Sequence, residues 1–418
     1  MTSTFEKTSV NNPASPERFF EGRQHEMFAR LRAEDPVHYT PESEFGPYWS
    51  ITKWDDIMSV DIDHQRFSSA QGVTLTNLAD LERQNEARAI AGMPPRPIAT
   101  AGFISMDEPL HKVHRKAVTP AAAPANVAKL APIVRERAQK MLDELPEGET
   151  FNWVDLVSRR LTAMTLATLF DFPKENCDDL TFRSDVFNAV PAEYGIRDWA
   201  HWVEIITDCS EQFEALWDAR KKNPSGNDLL SLLAQNPKTR DMTLEEFQGT
   251  LVLLIIGGND TTRNTISGGV HAVLNHPDQL LKLKADPALI PSMVSETIRW
   301  QTPLAYMMRI ANEDVQIRDK KIKAGDQVAM WYISGNRDGD QIERPDEYII
   351  DRPRARNHMS FGFGIHRCLG NRVAEMQLTI IWEEILKRFS SIEIVSDPVR
   401  TNSSFINGYD KLEVQVRR

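Results

Sequence analysis

The stretch "SFGFGIHRCLG", Ser360–Gly370, holds one of the chain's three cysteines together with a histidine and three glycines. Glycines at that density mark a backbone that turns tightly or approaches something closely. The residues that follow, "NRVAEMQLTIIWEEILKRF", carry the spacing of an amphipathic helix. The sequence therefore predicts a tight loop that delivers Cys368 to a helix N-terminus, and the rest of the chain has to explain why.

The chain has 418 residues, a formal net charge of -11 and 41% hydrophobic residues, a globular composition with ample material for a large core. The excess of acid argues against nucleic acid as the main partner. The cysteines are Cys177, Cys209 and Cys368, too few for an all-cysteine iron–sulfur cluster, and no CxxC or HExxH points to zinc. The opening "MTSTFEKTSVNNPASPERFF" has no apolar core of a signal peptide. With an odd, sparse cysteine count, this predicts a cytoplasmic protein. The longest strongly apolar run, "LVLLII", Leu251–Ile256, falls far short of the about 20 residues that span a bilayer, so no transmembrane segment is expected.

From Glu17 to Lys387 most of the chain reads as helices broken by proline and glycine. Helical spacing runs over Asn126–Leu145, Val154–Phe170 and Trp202–Arg220. Thr243 and Glu246 have the spacing of a capping box, opening a helix that can run to Leu274, roughly 48 Å long. Its middle is apolar on all sides, which predicts an element crossing the core. Strand signals are few: "PYWSITKW" after a turn at Phe45–Pro47, "VQIRDKKIKAGDQVAMWYIS" around the turn Ala324-Gly325-Asp326, and "IEIV" and "KLEVQV" in the tail. Residues 74–105, with "GMPPRPIATAG", read as a long polar connection, functional or partly disordered. The prediction is a mainly α fold, a helical core with small peripheral β-sheets, in one domain over 1–418, with 1–16 a flexible N-terminal segment.

Cysteine acts as a thiolate, in attack or in metal binding, and a helix N-terminus favours that anion. Three readings of the loop stand open. Cys368 is a nucleophile with His366 as its base, although residues two apart in such a turn do not obviously face each other. Alternatively Gly362-x-Gly364 begins a dinucleotide fingerprint, although Arg367 stands where its third glycine belongs and no convincing strand precedes it. In the third, Cys368 is the axial ligand of a haem iron, Gly364 and Gly370 let the backbone lie against the macrocycle, and nearby N–H groups tune the sulfur.

The pattern Phe361-x-x-Gly364-x-His366-x-Cys368-x-Gly370 resembles the haem-binding loop of cytochromes P450 at every signature position. That resemblance implies the P450 fold, haem b with Cys368 as thiolate ligand, and a monooxygenase using O2 and two electrons. It also gives other stretches a meaning they lack alone. Glu296 and Arg299 in "SETIRW", with Arg352 in "IIDRPRARNH", resemble the family's structural ion-pair network. "GGNDTTRN", Gly257–Asn264, resembles the oxygen-binding kink: Gly258 would leave room for dioxygen, Thr261 would hydrogen-bond it and Asp260 would help relay protons. Glycines inside a helix cost roughly 1 kcal/mol each relative to alanine, so such a pair needs a reason. A plainer reading has Thr261 bonding back to the Gly257 carbonyl and bending the helix. His111 and Arg115, one turn apart in "DEPLHKVHRKAV", resemble propionate contacts, as do Arg309 and His366. Lys112, Lys116, Arg367 and Arg372 flank the same elements, either as a solvated face or as a basic dock for an acidic ferredoxin. By the resemblance, electrons are expected from a ferredoxin and its flavin reductase, with NAD(P)H as ultimate donor.

"IIGGNDTTRNTISGGV", "RWQTPLAYMMRIA", "MWYISGNRD" and "HMSFGFGIHRCLGNRVAEMQL" further resemble the bacterial subgroup that hydroxylates alkanes and fatty acids at the terminal carbon. The substrate chamber would then be lined by Leu251, Leu254, Ile255, Gly258, Leu304, Met308, Phe405 and Ile406. Leu254, Leu304, Met308 and Phe405 are the candidates for a constriction that admits only a methyl group. Residues 74–105 would close the channel mouth, with a basic residue such as Arg96 meeting a fatty-acid carboxylate. The rivals are a P450 acting on terpenes or steroids, a haem–thiolate protein that binds ligands without oxygenating them, and a peroxide-driven haem enzyme. Asp260 and Thr261 speak against the last two.

Overall fold

Thr243 opens the element around which the other helices are arranged. The structure, a computed structural model, describes residues 12–96, 98–99, 101–172, 182, 186, 195–223 and 225–418; Cys177 lies outside them. The long helix spans Leu244–Leu274. At its start Thr243 Oγ1 accepts the Glu246 N–H at 3.2 Å and Glu246 Oε2 accepts the Thr243 N–H at 2.8 Å, satisfying two donors that a bare helix end would leave free. Its C-terminal half is buried nearly all round although it carries Asn259, Asp260, Arg263 and Asn264, whereas the apolar run Leu251–Ile256 is only partly buried. Helices Arg160–Phe170, Ile290–Gln301 and Asn371–Arg388 pack against it. The other helical segments appear as Pro124–Asp143 and Trp199–Lys222, while Val154–Phe170 divides into a π-helical turn, Val154–Arg159, and the α-helix Arg160–Phe170.

The strands are β1 (Val37–Thr40), β2 (Tyr48–Ile51), β3 (Phe67–Ser68), β4 (Phe151–Asn152), β5 (Met307–Ala311), β6 (Val315–Ile317), β7 (Lys320–Ile322), β8 (Gln327–Met330), β9 (Ser391–Ile394), β10 (Val399–Arg400), β11 (Tyr409–Lys411) and β12 (Glu413–Arg417). They form a sheet of order β1-β2-β8-β5-β3, a second of order β4-β12-β9, and the pairs β10-β11 and β6-β7. The fold is thus mainly helical with small sheets at its edges, as the sequence predicts.

Three expectations are corrected. Residues 74–105 are not a continuous connection: Leu78–Ile90 is a helix, with Asn77 Oδ1 accepting the N–H groups of Ala79 and Asp80 at 3.1 Å. Its apolar residues are mostly alanines and helix-end positions, and only Gln84 and Ala87 are buried, so no apolar stripe reveals it. The turn at Ala324-Gly325-Asp326 does not close a hairpin. β6 and β7 pair across Arg318 and Asp319, and β8 leaves to lie parallel to β2 and antiparallel to β5. At the N-terminus, residues 12–15 are packed rather than loose, the Ala14 N–H donating to Tyr48 Oη at 3.1 Å; residues 1–11 lie outside the described residues.

Beneath the loop that carries Cys368, Glu296 is fully buried between two arginines. Arg299 donates from Nε and Nη2 to the two Glu296 oxygens at 2.8 Å each. Arg352 donates from Nε to Oε2 at 2.9 Å, and the Ile349 N–H to Oε1 at 2.9 Å. The outward N–H groups of both arginines are taken by carbonyls of Asn336, Pro345, Glu347, Glu343 and Arg344. A buried carboxylate with that many donors is stable only as a complete set. Glu296→Gln keeps the shape but leaves two buried guanidiniums without a counter-charge. The expected loss is about 3–5 kcal/mol, read as a lowered urea midpoint; a loss below about 1 kcal/mol, the scale of an exposed pair, would contradict the account.

Candidate active site

Two positive-φ glycines, Gly362 (φ 63) and Gly364 (φ 61), bend the loop back on itself, so that the Cys368 N–H donates to the Phe361 carbonyl at 2.7 Å. Gly364 is also required by space: a Cβ there would lie 2.7 Å from the Asp61 carbonyl. The loop then runs into helix Asn371–Arg388, whose N-cap is Gly370. The N–H groups of Gly370 and Asn371 point at the Cys368 sulfur. Burial pushes the Cys368 thiol up, while those N–H groups and the guanidiniums of Arg115 and Arg367 favour the thiolate. Cys368 nevertheless exposes surface, because that surface is cavity wall.

Asp61, in helix Trp54–Ile62, holds the loop from behind. Its carboxylate accepts from the Phe363 N–H at 2.8 Å, Tyr332 Oη at 2.9 Å and Arg309 Nη2 at 3.0 Å. Sequence reasoning misses this residue, since an acid inside an ordinary amphipathic helix carries no signal of its role. Arg309 also donates to the Met308 carbonyl at 2.8 Å. Arg115 donates to the Arg367 carbonyl and lies on the cavity wall with Arg309 and His366. His366 Nε2 meets Ser69 Oγ at 3.1 Å. His111 stands behind His366, ring centres 4.3 Å apart. Burial, then the nearby guanidiniums, pulls His111 down to about 4 and His366 to about 2. Neither His111 nitrogen, nor Nδ1 of His366, has a hydrogen-bond partner among the described residues. Orphaned buried nitrogens beside two arginines are what an anionic cofactor edge would satisfy. The residues fit haem with its propionates at Arg115, Arg309, His111 and His366.

A cavity of 520 Å³ opens from Cys368 to the long helix. Thr261 stands on its wall, its Oγ1 donating to the Gly257 carbonyl at 2.9 Å. The two glycines, both on the cavity wall, differ in their surroundings. A Cβ at Gly258 would meet Leu166 Cδ1 at 3.0 Å, so that glycine lets two helices approach, whereas Gly257 faces open space. Asp260 is buried at 3% exposure and is not on the cavity wall. Its Oδ1 pairs with Arg263 Nη2 at 3.3 Å and accepts from Asn259 Nδ2 at 3.2 Å.

Leu254, Gly258, Leu304, Phe405 and Ile406 line the cavity, with Leu304 and Ile406 joined by an antiparallel bridge. Leu251, Ile255 and Met308 do not. Leu251 and Ile255, four residues apart, share the opposite helix face and pack into the core with Phe213 and Phe247. In β5 successive side chains alternate, so Met307 faces the cavity and Met308 the core of Phe28 and Trp331. That alternation was readable in the sequence. Arg96 is on the cavity wall, and so is Arg88, which the sequence reading passed over. Lys112, Lys116, Arg367 and Arg372 are all exposed.

Comparison with known proteins gives a match of residues 192–414 to the family model described as Cytochrome P450. The linalool 8-monooxygenase of Pseudomonas putida is 32% identical over 404 residues, covering 96% of this chain and 97% of that protein. The methyl-branched lipid omega-hydroxylase of Mycobacterium tuberculosis (strain ATCC 25618 / H37Rv) is 28% identical over 399 residues, covering 93% and 90%. Among solved structures, Cytochrome P450-153 from Novosphingobium aromaticivorans superposes with a TM-score of 0.87 at 38% identity, covering 97% of this chain and 99% of that one.

Cys368→Ser replaces a thiolate with a poor donor to iron. The variant is expected to lose the red-shifted Soret band of the reduced carbon monoxide complex. A variant that keeps that band would overturn Cys368 as ligand.

Proposed function

Because the chain belongs to the cytochrome P450 family, and is thereby a haem–thiolate monooxygenase, we propose that it hydroxylates linear aliphatic substrates, alkanes or fatty acids, at the terminal carbon. The observation that carries this reading is the apolar wall facing Cys368 and Thr261, built by Leu254, Leu304, Met307, Phe405 and Ile406 from three separate segments. Such a wall binds hydrocarbon by burial, about 0.8 kcal/mol per CH₂. Burial does not choose a carbon. Choice of the terminal C–H, the hardest on the chain to break, has to come from a shape that lets only the methyl end reach the reacting position. The omega-hydroxylase relative supports the terminal assignment. The linalool relative, the more similar of the two, favours the rival reading of a branched terpene substrate.

Haem, when bound, supplies the use of dioxygen and two electrons to insert one oxygen atom into a C–H bond. The chain's own residues do the rest. Gly370 and Asn371 N–H groups point at the Cys368 sulfur and favour its thiolate against the opposing effect of burial. Thr261 carries its hydroxyl proton at the cavity wall, resting on the Gly257 carbonyl, and can turn that donor into the cavity, where dioxygen would be used. Asp260 is one residue away and inside, held by Arg263; to hand a proton toward Thr261 it has to let go of that arginine. Electrons come from a ferredoxin and its reductase, docked at the exposed face of Lys112, Lys116, Arg367 and Arg372.

Thr261→Ala is expected to bind haem and substrate but to lower the product formed per NADH consumed, with hydrogen peroxide released instead. Asp260→Asn is expected to slow turnover about 10²-fold. Unchanged coupling in the first and unchanged rate in the second would remove the proton path.

Incubating the enzyme, with ferredoxin and reductase, with medium-chain alkanes, fatty acids and linalool tests the substrate reading. Terminal alcohols from the linear chains are expected by chromatography. Mainly subterminal alcohols, or turnover of linalool alone, would remove the terminal-hydroxylase reading.

A further inference from the structure

Besides the cations grouped around Cys368, the apolar cavity carries a second pair. Arg88 comes from helix Leu78–Ile90 and Arg96 from the segment that returns beside it, and both are half-buried on the cavity wall. The segment is tied to the helix by three bonds. Asn85 Oδ1 accepts the Arg96 N–H at 2.6 Å, Gln84 Oε1 accepts Arg96 Nη1 at 2.7 Å, and the Pro94 carbonyl accepts Arg88 Nε at 2.8 Å. These bonds orient both guanidiniums yet use one side-chain nitrogen of each. Neither arginine makes an ion pair among the described residues.

The two cation groups come from different elements: Arg115 from helix Leu110–Val118 and Arg309 from β5, Arg88 and Arg96 from helix Leu78–Ile90 and the segment after it. His366 feels Arg309 and Arg115, and Arg115 feels Cys368. Among the described residues, burial and then Arg88 bear on Arg96, each favouring the neutral form. The first group has the Arg367 carbonyl and Asp61 as partners and would be completed by haem propionates. The second consists of two like charges, partly desolvated, with N–H donors to spare and no ion-pair partner among the described residues. A guanidinium fork in that state matches a carboxylate, accepting two parallel hydrogen bonds on one planar group.

We propose that Arg88 and Arg96 bind the carboxylate of a fatty acid, so that the substrate is an aliphatic acid held by its head group with its methyl end free to reach Thr261. This deepens the terminal-hydroxylase reading and rests on it. It also supplies a source of regioselectivity that an alkane lacks: an anchored head group forbids the chain from sliding or reversing in an apolar cavity.

The test is calorimetric titration of the haem-loaded enzyme with dodecanoate, methyl dodecanoate and octane. Dodecanoate is expected to bind more tightly than its methyl ester. In Arg96→Gln and in Arg88→Gln the ratio of the dodecanoate to the methyl dodecanoate dissociation constant is expected to rise about 10- to 100-fold. If either variant merely loosens the segment, all three ligands weaken together and the ratio stays put. A ratio unchanged in both variants therefore overturns the head-group site. Binding of octane and the ester without binding of dodecanoate also overturns it, and leaves the aliphatic reading standing. Failure of all three ligands to bind removes that reading and the head-group site with it.

Discussion

A single buried carboxylate, Asp61, joins the parts of the site that come from far apart in the chain. It accepts from the Phe363 N–H in the cysteine loop, from Tyr332 beyond β8 and from Arg309 in β5. A buried charge is tolerated when several donors surround it, and here the donors are also what has to be placed. The loop position fixes Cys368, and Arg309 fixes one edge of the cofactor seat. The Glu296 set performs the same service one layer further out, tying helix Ile290–Gln301 to the chain that leads into the loop.

The features legible in the sequence are those in which a local pattern has one physical solution. Thr243 and Glu246 could satisfy a helix start in only one way. A loop of positive-φ glycines around one cysteine could only be a tight delivery of sulfur to a helix end. What could not be read depends on neighbours distant in sequence. Helix Leu78–Ile90 hides because its turns are held by capping and by packing of a few residues rather than by an apolar stripe. Asp61 has no local signature. Asp260 looks like its neighbour Thr261 in the sequence, yet the helix turns it about 100° away, to Arg263 and off the cavity wall. Leu251, Ile255 and Met308 were grouped with the chamber because their segments reach it; the helical and strand periods put the adjacent faces there instead.

The cavity combines a wall that recognises only hydrocarbon with a small number of fixed polar points. Apolar contact gives affinity without position, so position has to come from those points. Thr261 marks one, on the long helix, and the Arg88–Arg96 pair marks another, on helix Leu78–Ile90 and the segment after it. In the proposed reading a chain held between them is measured by the protein from head to methyl, and the site of oxidation follows from length rather than from C–H reactivity.

The most direct test is therefore a distance. Paramagnetic relaxation of ¹³C-labelled dodecanoate bound to the ferric enzyme reports how near each carbon lies to the iron. The account predicts the fastest relaxation at the terminal methyl, falling steadily toward the carboxyl carbon. Fastest relaxation at mid-chain or near the carboxylate would contradict it.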